Sequence, residues 1–246
     1  MLFNSPVFLF CFLPLTALLC FVIRARLGRE ASLGFLVLAS LFFYGWWNPV
    51  YLPLLIGLAV FNFLMAQAIL VERTKPRGGW ATPLTAFGVT VDLASLGYFK
   101  YTDFLIGTSN AVLDTSIPLQ HIILPLAISF FTFQKIAYLV DARRGDVEPH
   151  SFLEYCFFVM FFPQLIAGPI VHHKEIFSQT KLKRGFAFDR MNMMIGLTIF
   201  FIGLFKKVVL ADNVALVATP VFNHAANGGD VSFFQAWEGM LAYTFQ

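Results

Sequence analysis

The stretch that most constrains this fold covers residues 157–175 and reads FFVMFFPQLIAGPIVHHKE. Its first part is as apolar as a membrane helix. Pro163, Gly168 and Pro169 then interrupt it, with Gln164 among them, and it closes on His172, His173, Lys174 and Glu175. Proline removes a backbone donor and clashes with the preceding turn, which disfavours a straight spanning helix. Irregular backbone at membrane depth persists only where protein buries it or a watery cavity meets it. The stretch reads as a re-entrant segment lining a cavity, with a proline-kinked helix ending in an interfacial tail as the alternative.

The rest of the chain supplies the walls. It is 58% hydrophobic and 13% charged, against about 25% charged residues in soluble domains, so the fold class is all-α: a polytopic transmembrane helical bundle. Cys11, Cys20 and Cys156 lie in apolar runs without CxxC spacing and read as small buried hydrophobes. The positives Arg24, Arg26 and Arg29 follow the first apolar run instead of preceding it, which favours an uncleaved first span with the N-terminus outside. There is no Walker loop, GxGxxG, HExxH or zinc quartet, so no metal site is expected and nothing points to nucleic acid.

Spans are predicted at residues 7–23, 33–47, 51–71, 81–99, 122–140 and 193–210. Residues 100–121 read as an external loop carrying an interfacial helix at 104–113. The basic loops at 24–30, 72–79 and 141–149, placed in the cytoplasm, give a consistent weave, and the next basic loop, 174–190, belongs on the same side. Both ends of 152–169 then lie on one face, which is the topology of a re-entrant segment. The last apolar run, 232–246, is too short to cross a core of roughly 30 Å and no polar tail follows, so the sequence is expected to continue.

Polar residues inside the spans mark candidate sites. Asp92 is expected to face other helices, or to reach water if it lies near a loop. Gln134, Tyr138 and Asp141 fall at i, i+4 and i+7 and share one helical face. Their stripe either glues helices together or contacts substrate. Lys135 lies on another side, to snorkel or pair. His172 and His173 point about 100° apart on a helix and read as positional; His121, His150 and His224 sit in loops and rank lower. Lys206 and Lys207 need an anionic partner, for which Asp212, a lipid phosphate or an anionic substrate are candidates, unless they snorkel to the headgroups.

Three ordered strings, LPLAISFFTFQKIAYLVD at 124–141, FPQLIAGPIVHHKE at 162–175 and GLFKKVVLAD at 203–212, together resemble the membrane-bound O-acyltransferases. The likeness is to the bacterial branch of alginate O-acetyltransferase and D-alanyl teichoic-acid transfer proteins, and the early FYGWWNPVYLPLL segment is similar to it as well. The resemblance implies transfer of an acyl group, acetyl in the first instance, to hydroxyls of an extracellular or cell-wall polysaccharide such as alginate. The donor would be acyl-CoA or an acyl-carrier protein, with no bound cofactor. Membrane lipids and an extracytoplasmic acyl-transfer protein are the implied partners, in the plasma membrane.

The family's general-base histidine belongs to a later Trp-His-Gly motif that these 246 residues lack. No catalytic residue is therefore assigned, and this stretch alone is expected to be inactive. Within it the resemblance implies a substrate path shaped by Pro163, Gln164, Gly168 and Pro169, lined or braced by Gln134, Tyr138 and Asp141, with His173 beside it. A secondary transporter, which also uses broken helices, and a non-catalytic scaffold for a polysaccharide-acylation complex are the competing readings.

Overall fold

The computed structural model describes residues 2–75, 79–166, 168, 173–181 and 186–246, and every regular element among them is helical. The chain divides into two compact units, residues 16–186 and residues 2–15 with 187–246. Helix α1 (Leu13–Leu27) continues a π-helical turn at Phe8–Phe12.

The first unit contains α2 (Arg29–Trp47), α3 (Leu52–Arg73), α4 (Ala81–Leu113) and α5 (Ile128–Arg144). Helix α2 starts at Gly28, whose φ of 90° suits a residue without Cβ, and carries Glu30 in its first turn, where the helix dipole favours an acid. It stops at Asn48, whose side chain accepts from Val50 N at 3.0 Å while Pro49 opens the next turn. Leu33, Phe43, Tyr44, Leu55, Ala59, Ala66, Ile69 and Leu139 form the buried centre. Gly88 lets α4 approach α5 closely: a Cβ there would lie 2.7 Å from a Leu139 methyl.

The two ends of this unit differ in chemistry. At one end Arg29 and Arg73 meet the segments that follow α5: Arg73 lies so near Gly145 that a Cβ there would be 2.0 Å from its guanidinium, and Arg29 pairs with Glu154. At the other end Tyr44 and Tyr51 donate to the carbonyls of Leu126 and Ile123 at 3.2 and 2.5 Å, and Trp47 stacks on Tyr51. The nineteen residues of α2 between them span about 28 Å, close to a bilayer core.

The broken segment is a hairpin between these helices. Its elements are α6 (Phe152–Met160), α7 (Phe162–Leu165) and α8 (His173–Lys181). A capping box between Ser151 and Glu154 starts α6. Helix geometry stops at Phe161 and restarts with Pro163 in the first turn of α7, where a missing N–H costs nothing. Arg29 holds both ends of the hairpin: its Nη2 donates to Glu154 and its Nε to the Thr180 carbonyl at 2.6 Å. The tip reaches Ser40, whose Oγ accepts from Phe162 N at 3.1 Å. Ser40 lies eleven residues beyond Arg29 on α2, which is about 16 Å of helix, or half a bilayer core. The segment enters and leaves at one end, as a re-entrant segment must.

The second unit contains α9 (Arg190–Phe205), a π-helical stretch (Lys206–Ala211), α10 (Asp212–Ala226) and α11 (Phe233–Phe245), the last packed on α10. Asp189 caps α9 and a Ser232–Gln235 capping box starts α11.

Several boundaries differ from the sequence expectation. Residues 100–113 are no loop with a separate interfacial helix; they continue α4 without interruption to Asp114, which turns left-handed at φ 51°. No proline breaks that stretch, and Thr102 and Thr108 fold their hydroxyls back onto the carbonyls four residues earlier. The fifth helix starts at Ile128 instead of residue 122, behind Pro125 and the left-handed Ala127. The predicted span at 193–210 runs on through Asp212 to Ala226 as one 37-residue helical stretch. Among the described residues four stretches are long and apolar enough to cross a membrane: Phe8–Leu27, Arg29–Trp47, Pro49–Arg73 and Arg190–Ala226. Helix α4, carrying Asp92, Lys100 and Asp103, and α5, with 17 residues, fall outside that set.

Candidate functional site

Helix α5 ends in a tight reversal that creates the site. Gly145 adopts φ 86°, and the N–H groups of Gly145 and Asp146 both donate to the Asp141 carbonyl at 2.9 Å. The chain leaving this cap, Asp146 to Ser151, passes back over Tyr138 and delivers His150 to it. Tyr138 is fully buried, and its hydroxyl hydrogen-bonds His150 Nε2. His150 Nδ1 sits 2.8 Å from the Glu148 carbonyl, which can only accept. Nδ1 therefore carries the hydrogen, and the tyrosine donates to Nε2.

His173, the first residue of α8, closes the group. It is buried, with Nδ1 3.4 Å from the Asp141 carboxylate and Nε2 donating to the Asp146 carbonyl at 3.2 Å. Its ring stands edge-on to Tyr138. Phe177, one turn along α8, stacks on His150 with centroids 4.4 Å apart. Beside this cluster opens a cavity of about 400 Å³ whose walls include Asp146, Glu148, His173, Lys174, Phe177 and Ser178. Lys174 pairs with Asp146 at 3.4 Å across it. The walls thus offer carboxylates, an ammonium, an imidazole and a hydroxyl around an aromatic floor, a lining that can orient a polar group by hydrogen bonds. Among the described residues no three His, Cys, Asp or Glu side chains converge as metal ligands.

The residues singled out from sequence fall into three places. Tyr138 and Asp141 both meet His173, and of the three His173 is the one that lines the cavity. Pro163, Gln164 and Gly168 form the hairpin tip, where Gly168 N donates to Gln164 O at 3.1 Å. A Cβ on Gly168 would lie 2.7 Å from Gln164 backbone, so only glycine permits this approach. Gln134 joins neither group directly: its Nε2 donates to the Phe158 carbonyl at 2.9 Å. That carbonyl is in the last turn of α6, so the glutamine completes the helix end at the break. Pro169 and His172 lie outside the described residues. Lys206 and Lys207 belong to the second unit and are exposed. Lys207 pairs with Asp212 at 2.6 Å, a five-residue spacing that the π-helical stretch brings into line.

His150, Glu148, Asp146 and Phe177 were not distinguished by sequence, because each sits in a short polar loop or helix with no motif spacing. Lys135 takes the pairing alternative of the two that the sequence left open. It neither snorkels nor reaches a loop; it is fully buried beside Asp92.

Comparison with known proteins follows the same residues. Residues 140–237, which include the α5 cap, the hairpin and most of the second unit, match the model of the membrane-bound O-acyltransferase family. Over these residues the chain is similar to that family. Across its whole length the chain is 42% identical to the peptidoglycan O-acetyltransferase of Helicobacter pylori, covering 50% of that protein. It is 38% identical to the probable alginate O-acetylase of Pseudomonas aeruginosa, again over its whole length and 46% of the relative. Over 49% of its length it is 25% identical to the teichoic acid D-alanyltransferase of Lacticaseibacillus rhamnosus, covering 27% of that protein. The chain therefore spans about half the length of the curated relatives it matches over its full extent. No solved structure matches it significantly.

Proposed function

We propose that this chain forms the entry half of a membrane-embedded O-acyltransferase that moves an acyl group, in the first instance acetyl, to hydroxyls of a cell-wall or extracellular polysaccharide. One observation carries the reading: the chain aligns from end to end with proteins named for O-acetylation of peptidoglycan and alginate. The hairpin that reaches Ser40, midway along α2, supports it, because transfer across a bilayer needs a path from each face to a shared point. The Arg29 and Arg73 end faces the cytoplasm by the bias of basic loops, with the N-terminus outside and the protein in the plasma membrane. Acyl-CoA or an acyl-carrier protein then delivers the acyl group at the cavity beside His173. Tyr138, Asp141 and His150 shape that entrance, and Pro163, Gln164, Gly168 and Pro169 shape the route past the tip. Lys206 and Lys207 contact lipid phosphate. An extracytoplasmic acyl-transfer protein takes over on the far side.

The test is to delete the coding sequence from its host and measure ester-linked acetate released by mild alkali from purified cell wall and exopolysaccharide. Loss of ester from one fraction, restored by a plasmid copy, supports the assignment and names the acceptor. Unchanged ester in both fractions rejects it.

A further inference from the structure

Midway along the first unit, α3, α4 and α5 bring together Asn62, Asp92 and Lys135, with Thr132 one turn before Lys135 on α5, and the proposed acyl path uses none of them. Asn62, Asp92, Thr132 and Lys135 are all 0% exposed. Asn62 lies eleven residues before Arg73 on α3, and Asp92 eleven residues after Ala81 on α4, so the group sits near half-depth. Charges at that depth persist only when compensated.

The direct contacts compensate them incompletely. Asn62 Nδ2 donates to Asp92 Oδ1 at 2.8 Å and to the Leu58 carbonyl at 2.9 Å. Lys135 Nζ is 3.9 Å from the same carboxylate oxygen, which is too far for a hydrogen bond. The Phe131 ring lies 4.5 Å beneath the ammonium and satisfies one side of it electrostatically. Asn62 Oδ1, Asp92 Oδ2, Thr132 Oγ and Lys135 Nζ make no hydrogen bond among the described residues. Thr132 is one turn from Lys135, so their polar atoms share a helical face.

The four atoms are chemically complementary. Lys135 offers only donors, Asp92 Oδ2 and Asn62 Oδ1 only acceptors, and Thr132 either. A ligand with two donors and two acceptors fits this set, and a polar contact longer than 3.5 Å is the usual mark of a bridging one. We infer that Asn62, Asp92, Thr132 and Lys135 form a buried hydration site in the membrane interior, where bound water bridges the Lys135 ammonium to the Asp92 carboxylate. Water accepts from Lys135 and donates to Asp92 Oδ2 or Asn62 Oδ1. The hydrated pair then ties α3, α4 and α5 together at one level.

The test is water-edited solid-state NMR of the full chain in lipid bilayers. Gln134–Lys135 is the one Gln-Lys step in the sequence, so pairwise labelling of these two residue types picks out Lys135 without a variant. The expected result is rapid magnetisation transfer from water to the Lys135 ammonium, weakened in Thr132→Val, which removes one water partner at nearly constant volume. A Lys135 ammonium signal with no transfer from water overturns the site, because it describes a dry ion pair. Equal transfer in the wild type and Thr132→Val overturns the placement of the water against Thr132. The acetate measurement above does not enter either outcome, so failure of the hydration site and failure of the acyltransferase reading remain distinguishable.

Discussion

Arg29 Nε donates to the Thr180 carbonyl at 2.6 Å, across 151 positions of sequence. The same guanidinium pairs with Glu154, so one side chain at the start of α2 holds the entry and the exit of the membrane hairpin. A flexible ammonium cannot reproduce that fork. Arg29→Lys is expected to lower stability by about 1–3 kcal/mol, read as the melting temperature in detergent, and to open α8 to limited proteolysis before the rest of the first unit. An α8 that stays as protected as in the wild type would sink the clamp.

Glu154 makes that clamp pH-dependent. Burial alone would raise its carboxyl; the Ser151 backbone N–H, Arg29 and the Ser151 hydroxyl together outweigh it and hold the group below its ordinary value. A carboxyl depressed in the folded state contributes stability that is fully present above its unfolded value, near 4.5, and lost as pH falls through the lower folded one. Melting temperature should therefore drop on acidification below that point, and Glu154→Gln should flatten this part of the profile while lowering the plateau at neutral pH.

Ser40 is the acceptor for the hairpin tip. Its hydroxyl donates to Leu36 O at 2.7 Å and accepts from Phe162 N at 3.1 Å. Ser40→Ala leaves a buried N–H unpaired, which costs about 1–3 kcal/mol. Polysaccharide acetylation in cells should fall at unchanged protein level, since the tip loses its anchor at half-depth. Full acetylation with a lowered melting temperature would mean that the anchor serves stability alone.

Gly145 carries two constraints at once, a φ of 86° and the Arg73 guanidinium against its Cα. Gly145→Ala adds left-handed strain of about 1–2 kcal/mol and must displace the arginine. The expected outcome is a lower melting temperature that Arg73→Ala, combined with it, partly restores. A strictly additive double variant would show that the two residues do not touch.

Tyr138→Phe removes the hydroxyl that His150 accepts while keeping the ring packed on Tyr155 at 4.9 Å. If the cavity is the donor entrance, acetate transfer should fall several-fold, on the order of one hydrogen bond, with little change in melting temperature. His150→Ala should have the same effect, and the double variant should be no worse than either single one. Independent losses at the two positions would separate the residues functionally.

How much of this was legible in the sequence follows from the range of the forces involved. Local forces made the apolar spans, the breaks at Pro163 and Gly168, the basic loops and the Lys207–Asp212 pairing readable, because propensity, hydropathy and spacing act over a few residues. The stripe of Gln134, Tyr138 and Asp141 was readable for the same reason, but its division of labour was not. Whether Gln134 braces α6 and Tyr138 meets His150 depends on where a hairpin two dozen residues away folds back.

By itself, the sequence determined an all-helical membrane bundle with one interrupted segment and a likeness to O-acyltransferases, since apolar length and motif order are written along the chain. Tertiary structure alone decided that Arg29 closes the hairpin, that α4 continues past residue 100, and that Lys135 meets Asp92 instead of snorkelling. The first and the last of these pair residues far apart in sequence, and a buried charge or donor selects its partner only when packing has removed every other source of hydrogen bonds.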